Sequence, residues 1–188
     1  MILIVDCWSS KVPDIETCVD EFMDYKTVAL KEVTEIDLEN IKGIILSGAN
    51  LLVTENDIDI YLSKTKILLK KGVPVLGISF GHQIIGLVHG AFASRMKEDR
   101  DWQTIESFEE NPLWDKLPNE TEMIEDHCES ISIPNGFKLI ASSDVCVNEA
   151  MQHHSELIFG VQFHPEVSGN HGRILFENFI KLCEKQNL

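Results

Sequence analysis

The chain has 188 residues, 44% hydrophobic and 25% charged, which suits one globular domain over residues 1–188 that buries a core without a disulfide or metal staple. Its formal net charge of −15, from 31 acidic against 16 basic residues, repels polyanions and so excludes nucleic acid and anionic membranes as partners. Five widely spaced cysteines with no C-x-x-C pair argue against a disulfide framework or a zinc site and for a reducing, cytoplasmic compartment. The start, M-I-L-I-V-D-C-W, lacks the basic residues and long apolar run of a signal peptide, and no window nears the roughly 20 apolar residues of a membrane span.

Met1 to Val5 is a short apolar run that reads as a buried parallel strand. Pro13 to Tyr25 carries Ile15, Cys18, Val19 and Phe22 at helical spacing behind a proline suited to a helix start. Thr27–Leu30 and Lys42–Leu46 are further strand candidates, the latter running into Ser47-Gly48. Asp57–Lys71 predicts a helix with Ile60, Leu62, Ile67 and Leu68 inward and Gly72 as its C-terminal cap. Pro74–Ile78 is a buried strand and Gly81–His89 a helix.

This alternation predicts right-handed βαβ crossovers and an α/β fold with a mostly parallel sheet between helix layers. From Ala91 to Ile158 the rhythm changes to short segments, Thr104–Phe108, Thr121–Ile124, Lys138–Ser142 and Val145–Met151, which predict appended antiparallel strands. Glu98-Asp99-Arg100-Asp101 reads as a solvated turn. Leu157–Phe163 is a strand leading into His164-Pro165-Glu166, and Gly172–Lys185 predicts a closing helix with Leu175, Phe179 and Leu182 on one face.

The densest chemistry lies in V-P-V-L-G-I-S-F-G-H-Q, Val73 to Gln83. A buried strand meets a tight turn flanked by Gly77 and Gly81, and a helix follows at once. This is the G-x-S-x-G elbow, which holds the Ser79 side chain above the sheet edge and aims the Phe80 N–H at a developing oxyanion. G-V-Q-F-H-P-E, Gly160 to Glu166, delivers His164 at the end of a strand with a carboxylate two residues on, the order needed to fix an imidazole tautomer.

G-I-S-F-G-H-Q resembles the G-I-C-x-G-H-Q motif of class I glutamine amidotransferases, and G-V-Q-F-H-P-E resembles their His/Glu motif. Ile44-Ile45-Leu46-Ser47-Gly48 is similar to the start of the family's S-G-G-P oxyanion loop, and His127-x-Glu129 to its His-x-Asp segment. Glu149 to Phe163 and the tail Ile174 to Phe179 look most like the stand-alone glutaminase subunit of archaeal GMP synthases, an enzyme of purine biosynthesis. The resemblance covers essentially the whole chain. It implies a flavodoxin-like three-layer fold, Ser79, His164 and Glu166 at the catalytic positions, and Gly48, Ala49, Phe80 and Gln83 around the substrate and oxyanion. It also implies glutamine as ligand, no cofactor and no metal, and a separate synthetase subunit of the ATP-pyrophosphatase type.

Three departures accompany it. Ser79 stands where the family has its nucleophilic cysteine, and a hydroxyl is far harder to ionise than a thiol. Ala49-Asn50 replaces Gly-Pro, and Cys7-Trp8-Ser9-Ser10 replaces Asn-Gly-Gly-Gln. Three readings stay open. One is a pseudoenzyme, an amidotransferase-like subunit with weak or lost glutamine hydrolysis. The second is a working glutaminase seen as a Cys-to-Ser variant, and the third a serine hydrolase or transferase on the same scaffold. Cys7 reads as a small buried hydrophobe, and adjacent His153-His154 as solvent-facing rather than metal-binding.

Overall fold

A computed structural model of the chain describes residues 1–108 and 110–185. Its strands are β1 (Ile2–Asp6), β2 (Tyr25–Ala29), β3 (Gly43–Leu46), β4 (Val75–Ile78), β5 (Ala93–Ser107), β6 (Glu120–Ile131), β7 (Phe137–Ser142), β8 (Ala150–His153) and β9 (Ile158–Val161). Its α-helices are α1 (Val12–Asp20), α2 (Asp59–Leu69), α3 (Phe80–Val88) and α4 (Gly169–Lys185). The strands form one sheet in the order β2-β1-β3-β4-β9-β8-β7-β5-β6. The first five in that order run parallel, and β8, β7, β5 and β6 continue the sheet antiparallel.

Alternate side chains of the parallel strands divide between two cores, as the period of two in a strand requires. Ile2 and Ile4 of β1 pack with Ile15 and Val19 of α1 and with Leu175, Phe176 and Phe179 of α4. Leu3 and Val5 face the other way, toward Tyr61 and Leu68 of α2 and Phe80, Ile84 and Ile85 of α3. β3, β4 and β9 are buried along their whole length, and burial on both faces makes them continuous apolar runs in the sequence. Each large side chain fully removed from water contributes roughly 1.5–3 kcal/mol, so this double core fixes the strand ends that carry the site.

The α/β architecture and the change to antiparallel strands match the sequence expectation, but several elements differ. In α2 the buried residues are Tyr61, Thr65 and Leu68. Ile60 and Ile67, expected inward, are 41% and 49% exposed. The apolar residues of this helix lie on more than one side, and the spacing Tyr61, Thr65, Leu68 selects the face that meets the sheet. β5 and β6 are long strands of 15 and 12 residues, not short ones, paired as a hairpin with an irregularity between Arg95 and Asp99. Glu98 to Asp101 therefore lie within β5, and Asp99 is buried. The segment predicted as a strand from Val145 is a loop up to Glu149, turned by the Ser143 hydroxyl, which accepts the N–H groups of Val145 and Cys146. No helix among the described residues is long and apolar enough to cross a membrane.

Candidate active site

The strand-to-helix elbow has the geometry its sequence implies. Ser79 joins β4 to α3 with φ 51° and ψ −107°, a backbone conformation disfavoured for any residue with a Cβ. Two hydrogen bonds hold it there. The Ser79 N–H donates to the Val161 carbonyl of β9 at 2.8 Å, and the Ser79 carbonyl accepts the Gln83 N–H at 3.0 Å. The flanking glycines are required by contact. A Cβ on Gly77 would lie 2.6 Å from the Gly81 backbone, and one on Gly81 would lie 2.5 Å from the Leu46 carbonyl oxygen. Phe80 begins α3, its ring buried edge-on against Tyr61 at 5.1 Å, so its N–H is fixed at the helix N-terminus beside Ser79.

His164 follows β9, and its N–H donates to the Ile124 carbonyl of β6 at 2.8 Å. That bond draws the β5–β6 hairpin back over the parallel strand ends. His164 Nδ1 lies 2.7 Å from Glu166 Oε1, and both side chains are buried. A carboxylate there accepts the Nδ1 proton and leaves Nε2 with its lone pair, the tautomer a base requires. A Cβ placed on Gly48 would lie 3.3 Å from His164 Cε1 and 3.7 Å from Ser79 Cβ. Ser79, His164 and the Gly48 backbone therefore converge on one point. Ala49 does not take a positive φ, so alanine sits in the glycine's place without strain.

These residues open onto a cavity of about 220 Å³ lined by Ala49, Leu51, Ser79, Phe80, Gln83 and His164, with Lys11, Glu98, Arg100 and Asp126 at its rim. Drug-sized ligands take roughly 300–1,000 Å³, so this space suits a small amino acid. Asp126 joins the rim charges, 2.9 Å from Lys11 Nζ and 3.2 Å from Arg100 Nη1. Gln83 is buried, and its side-chain nitrogen donates to Gln162 Oε1 at 3.0 Å and to the Glu129 carbonyl at 3.3 Å. It thus ties α3 to β6 as well as lining the cavity.

Two contributors were given no site role in the sequence. Glu129 accepts the N–H groups of Val53 and Thr54 and the Thr54 hydroxyl, pinning the loop that carries Ala49 and Leu51 to β6. Arg100 reaches the rim from a strand read as a turn. Only the His-x-Glu spacing at His127 pointed to this region.

Of the other flagged residues, Cys7 is buried, and burial followed by the Asp6 charge pushes its thiol up to about 12. It remains protonated and is not a nucleophile. Trp8 takes φ 86° and is 67% exposed. Its N–H and that of Ser9 donate to Asp6 Oδ1 at 2.6 and 3.1 Å. The loop thus keeps a glycine-like bend at the position where the resemblance puts glycine. His153 packs against Phe137 at 5.0 Å, while His154 is exposed. Trp114 is buried edge-on against Phe163, and Trp102 is exposed.

The family model described as glutamine amidotransferase class-I matches residues 3–182. The A subunit of the glutamine-hydrolysing GMP synthase of Methanocaldococcus jannaschii is 37% identical over 149 residues, 77% of this chain and 76% of that protein. Its counterpart in Pyrococcus furiosus is 38% identical over 152 residues, 79% of each. A crystal structure of a protein from Thermoplasma acidophilum, described as the A subunit of a GMP synthase, superposes with a TM-score of 0.91 at 29% identity, covering 99% of this chain and 94% of that one. A glutamine amidotransferase from Thermotoga maritima shares the fold, with a TM-score of 0.77 at 20% identity over 100% of this chain and 86% of that one.

Proposed function

Because the chain belongs to the class I glutamine amidotransferase family, we propose that it is a glutamine-binding subunit of the GMP synthase type in which Ser79 leaves glutamine hydrolysis weak or lost. The observation that carries this reading is a serine on a strained elbow, φ 51°, beside an intact His164–Glu166 pair. The continuous nine-stranded sheet supports reading residues 1–188 as one domain.

The chemistry follows from the positions. The glutamine side-chain carbonyl sits between Ser79 and the N–H groups of Phe80 and the Gly48-Ala49 backbone, which stabilise the oxyanion formed on attack. His164 Nε2 takes the nucleophile's proton and returns it to the departing ammonia, and Glu166 steadies the imidazolium at Nδ1. With a cysteine, the proton transfer precedes attack, because a thiol of pKa about 8.5 ionises readily beside an imidazole. With Ser79 the same base must remove a far less acidic proton during attack. A site shaped for a thiolate–imidazolium pair loses orders of magnitude on that step, as when other nucleophilic sets are disrupted. Glutamine binding needs only the cavity and survives.

The likeness to the A subunits of GMP synthases supports a partner in the form of a separate synthetase chain, to which a glutamine-bound, slow subunit still docks. The test measures glutamine binding by calorimetry and ammonia release by the native chain and Ser79→Cys, each with and without the synthetase. Bound glutamine with turnover only in Ser79→Cys is expected. Family-level turnover by the native chain contradicts the reading. Labelling of Ser79 by an ester probe, with no glutamine bound, points to a serine hydrolase instead.

A further inference from the structure

Within and behind the β6 wall of the cavity lies a polar cluster that the proposed glutamine chemistry does not use. β6 turns Glu125 and His127 inward, and the loop before β8 brings Cys146 and Glu149 against them. Their exposures are 1%, 8%, 3% and 0%, and no lysine or arginine is among the buried described residues. The ligand atoms of His127, Cys146 and Glu149 all lie within 4.8 Å of one another.

The hydrogen bonds aim these atoms at a common centre. His127 Nδ1 lies 2.8 Å from the Glu129 carbonyl oxygen, which can only accept, so Nδ1 carries the proton and Nε2 a lone pair. That Nε2 is buried without a hydrogen-bond partner and faces Glu125 Oε2 at 3.3 Å. Glu149 Oε1 accepts the Ser143 hydroxyl at 2.7 Å, while the remaining oxygens of Glu149 and Glu125 meet only each other and His127 Nε2. A lone pair set against carboxyl oxygens in a dry interior is repulsive unless a proton or a metal ion lies between them. Burial, and then the neighbouring Glu125 charge, holds Glu149 well above the usual carboxylate range; burial, and then Glu149, pushes the Cys146 thiol up.

We propose that His127 Nε2, Cys146 Sγ and Glu149 Oε2 bind a Zn²⁺ ion, with Glu125 closing the fourth position. One imidazole, one thiol and carboxylates suit zinc, whereas calcium and magnesium take oxygen ligands. The imidazole already donates its other N–H to a backbone carbonyl, the usual support of a metal-bound histidine. On binding, the Cys146 and Glu149 protons both leave to solvent, and the resulting thiolate and carboxylate neutralise the ion. A site closed by four protein ligands is structural. It clamps the 143–149 loop to β6 at the wall of the glutamine cavity, which His127, Cys128 and Glu129 line. The expectation of no metal rested on cysteines that form no C-x-x-C pair and on His153-His154, and none of these pointed to a set drawn from β6 and the loop before β8.

The full untagged chain is refolded with zinc, freed of unbound metal by gel filtration and analysed by atomic absorption, with Co²⁺ as a spectroscopic substitute. About one zinc per chain is expected, together with a near-ultraviolet thiolate-to-cobalt charge-transfer band. Cys146→Ser loses the band, Cys18→Ser keeps it, and Glu149→Gln binds zinc about tenfold or more weakly. A native chain that retains less than about one zinc in ten and gives no cobalt band overturns the proposal, whatever the variants do. A band that persists in Cys146→Ser overturns it as well.

Discussion

Replacing Ser79 by glycine is expected to stabilise the protein. At φ 51° and ψ −107° a residue with a Cβ carries strain of order 1–3 kcal/mol. Glycine escapes that cost but gives up about 0.5–1 kcal/mol through the greater freedom of its unfolded chain. Among the described residues the Ser79 hydroxyl makes no hydrogen bond whose loss offsets the gain, so the net effect is up to about 2.5 kcal/mol in favour of glycine. For a domain of this size each kcal/mol moves Tm by about 2–4 °C, so Ser79→Gly should melt higher, by up to about 10 °C, in calorimetry. Ser79→Ala keeps the Cβ and the strain, and should stay within about 0.5 kcal/mol of the native chain. If Ser79→Gly melts at or below Ser79→Ala, the elbow stores no strain and the geometric argument for a nucleophile position fails.

Glu129→Ala leaves the buried Val53 N–H unpaired, so a loss of about 2–3 kcal/mol in denaturant unfolding is expected, with weaker glutamine binding; Glu129→Gln, which keeps an acceptor, should recover most of both. Gly172→Ala places a Cβ 1.8 Å from the Pro165 carbonyl oxygen, forcing α4 and the His-Pro-Glu turn apart, and should cost about 3 kcal/mol in thermal melting. In a Ser79→Cys background, Glu166→Gln should cut kcat for glutamine by about 10²–10⁴-fold, with far less change in glutamine affinity, because the imidazole loses its tautomer and its counter-charge.

β1, β3, β4 and β9 of the parallel half were legible because they are buried on both faces and appear as unbroken apolar runs. The elbow and the His-Pro-Glu turn were legible for the same reason, since each sits at the end of such a strand. β6 was hidden by its own interior. Its inward positions run Thr121, Met123, Glu125, His127, Glu129 and Ile131, so the period of two is present in burial but not in hydrophobicity. β5 is polar on most positions and gives no apolar alternation at all. With these two strands went Arg100 at the cavity rim and the clamp by Glu129. The inward set of α2 was misassigned because Ile60 and Ile67 are apolar yet exposed, and only the packed sheet distinguishes them from Tyr61 and Leu68.

The central claim is that residue 79 limits an otherwise complete site. Its most direct test is the ratio of ammonia release at saturating glutamine between Ser79→Cys and the native chain, each with the synthetase present. The account predicts a ratio of about 10³ or more, roughly 4 kcal/mol of activation free energy, with similar glutamine affinity in both. A ratio near one, with the native chain turning over at the rate of its cysteine variant, contradicts it.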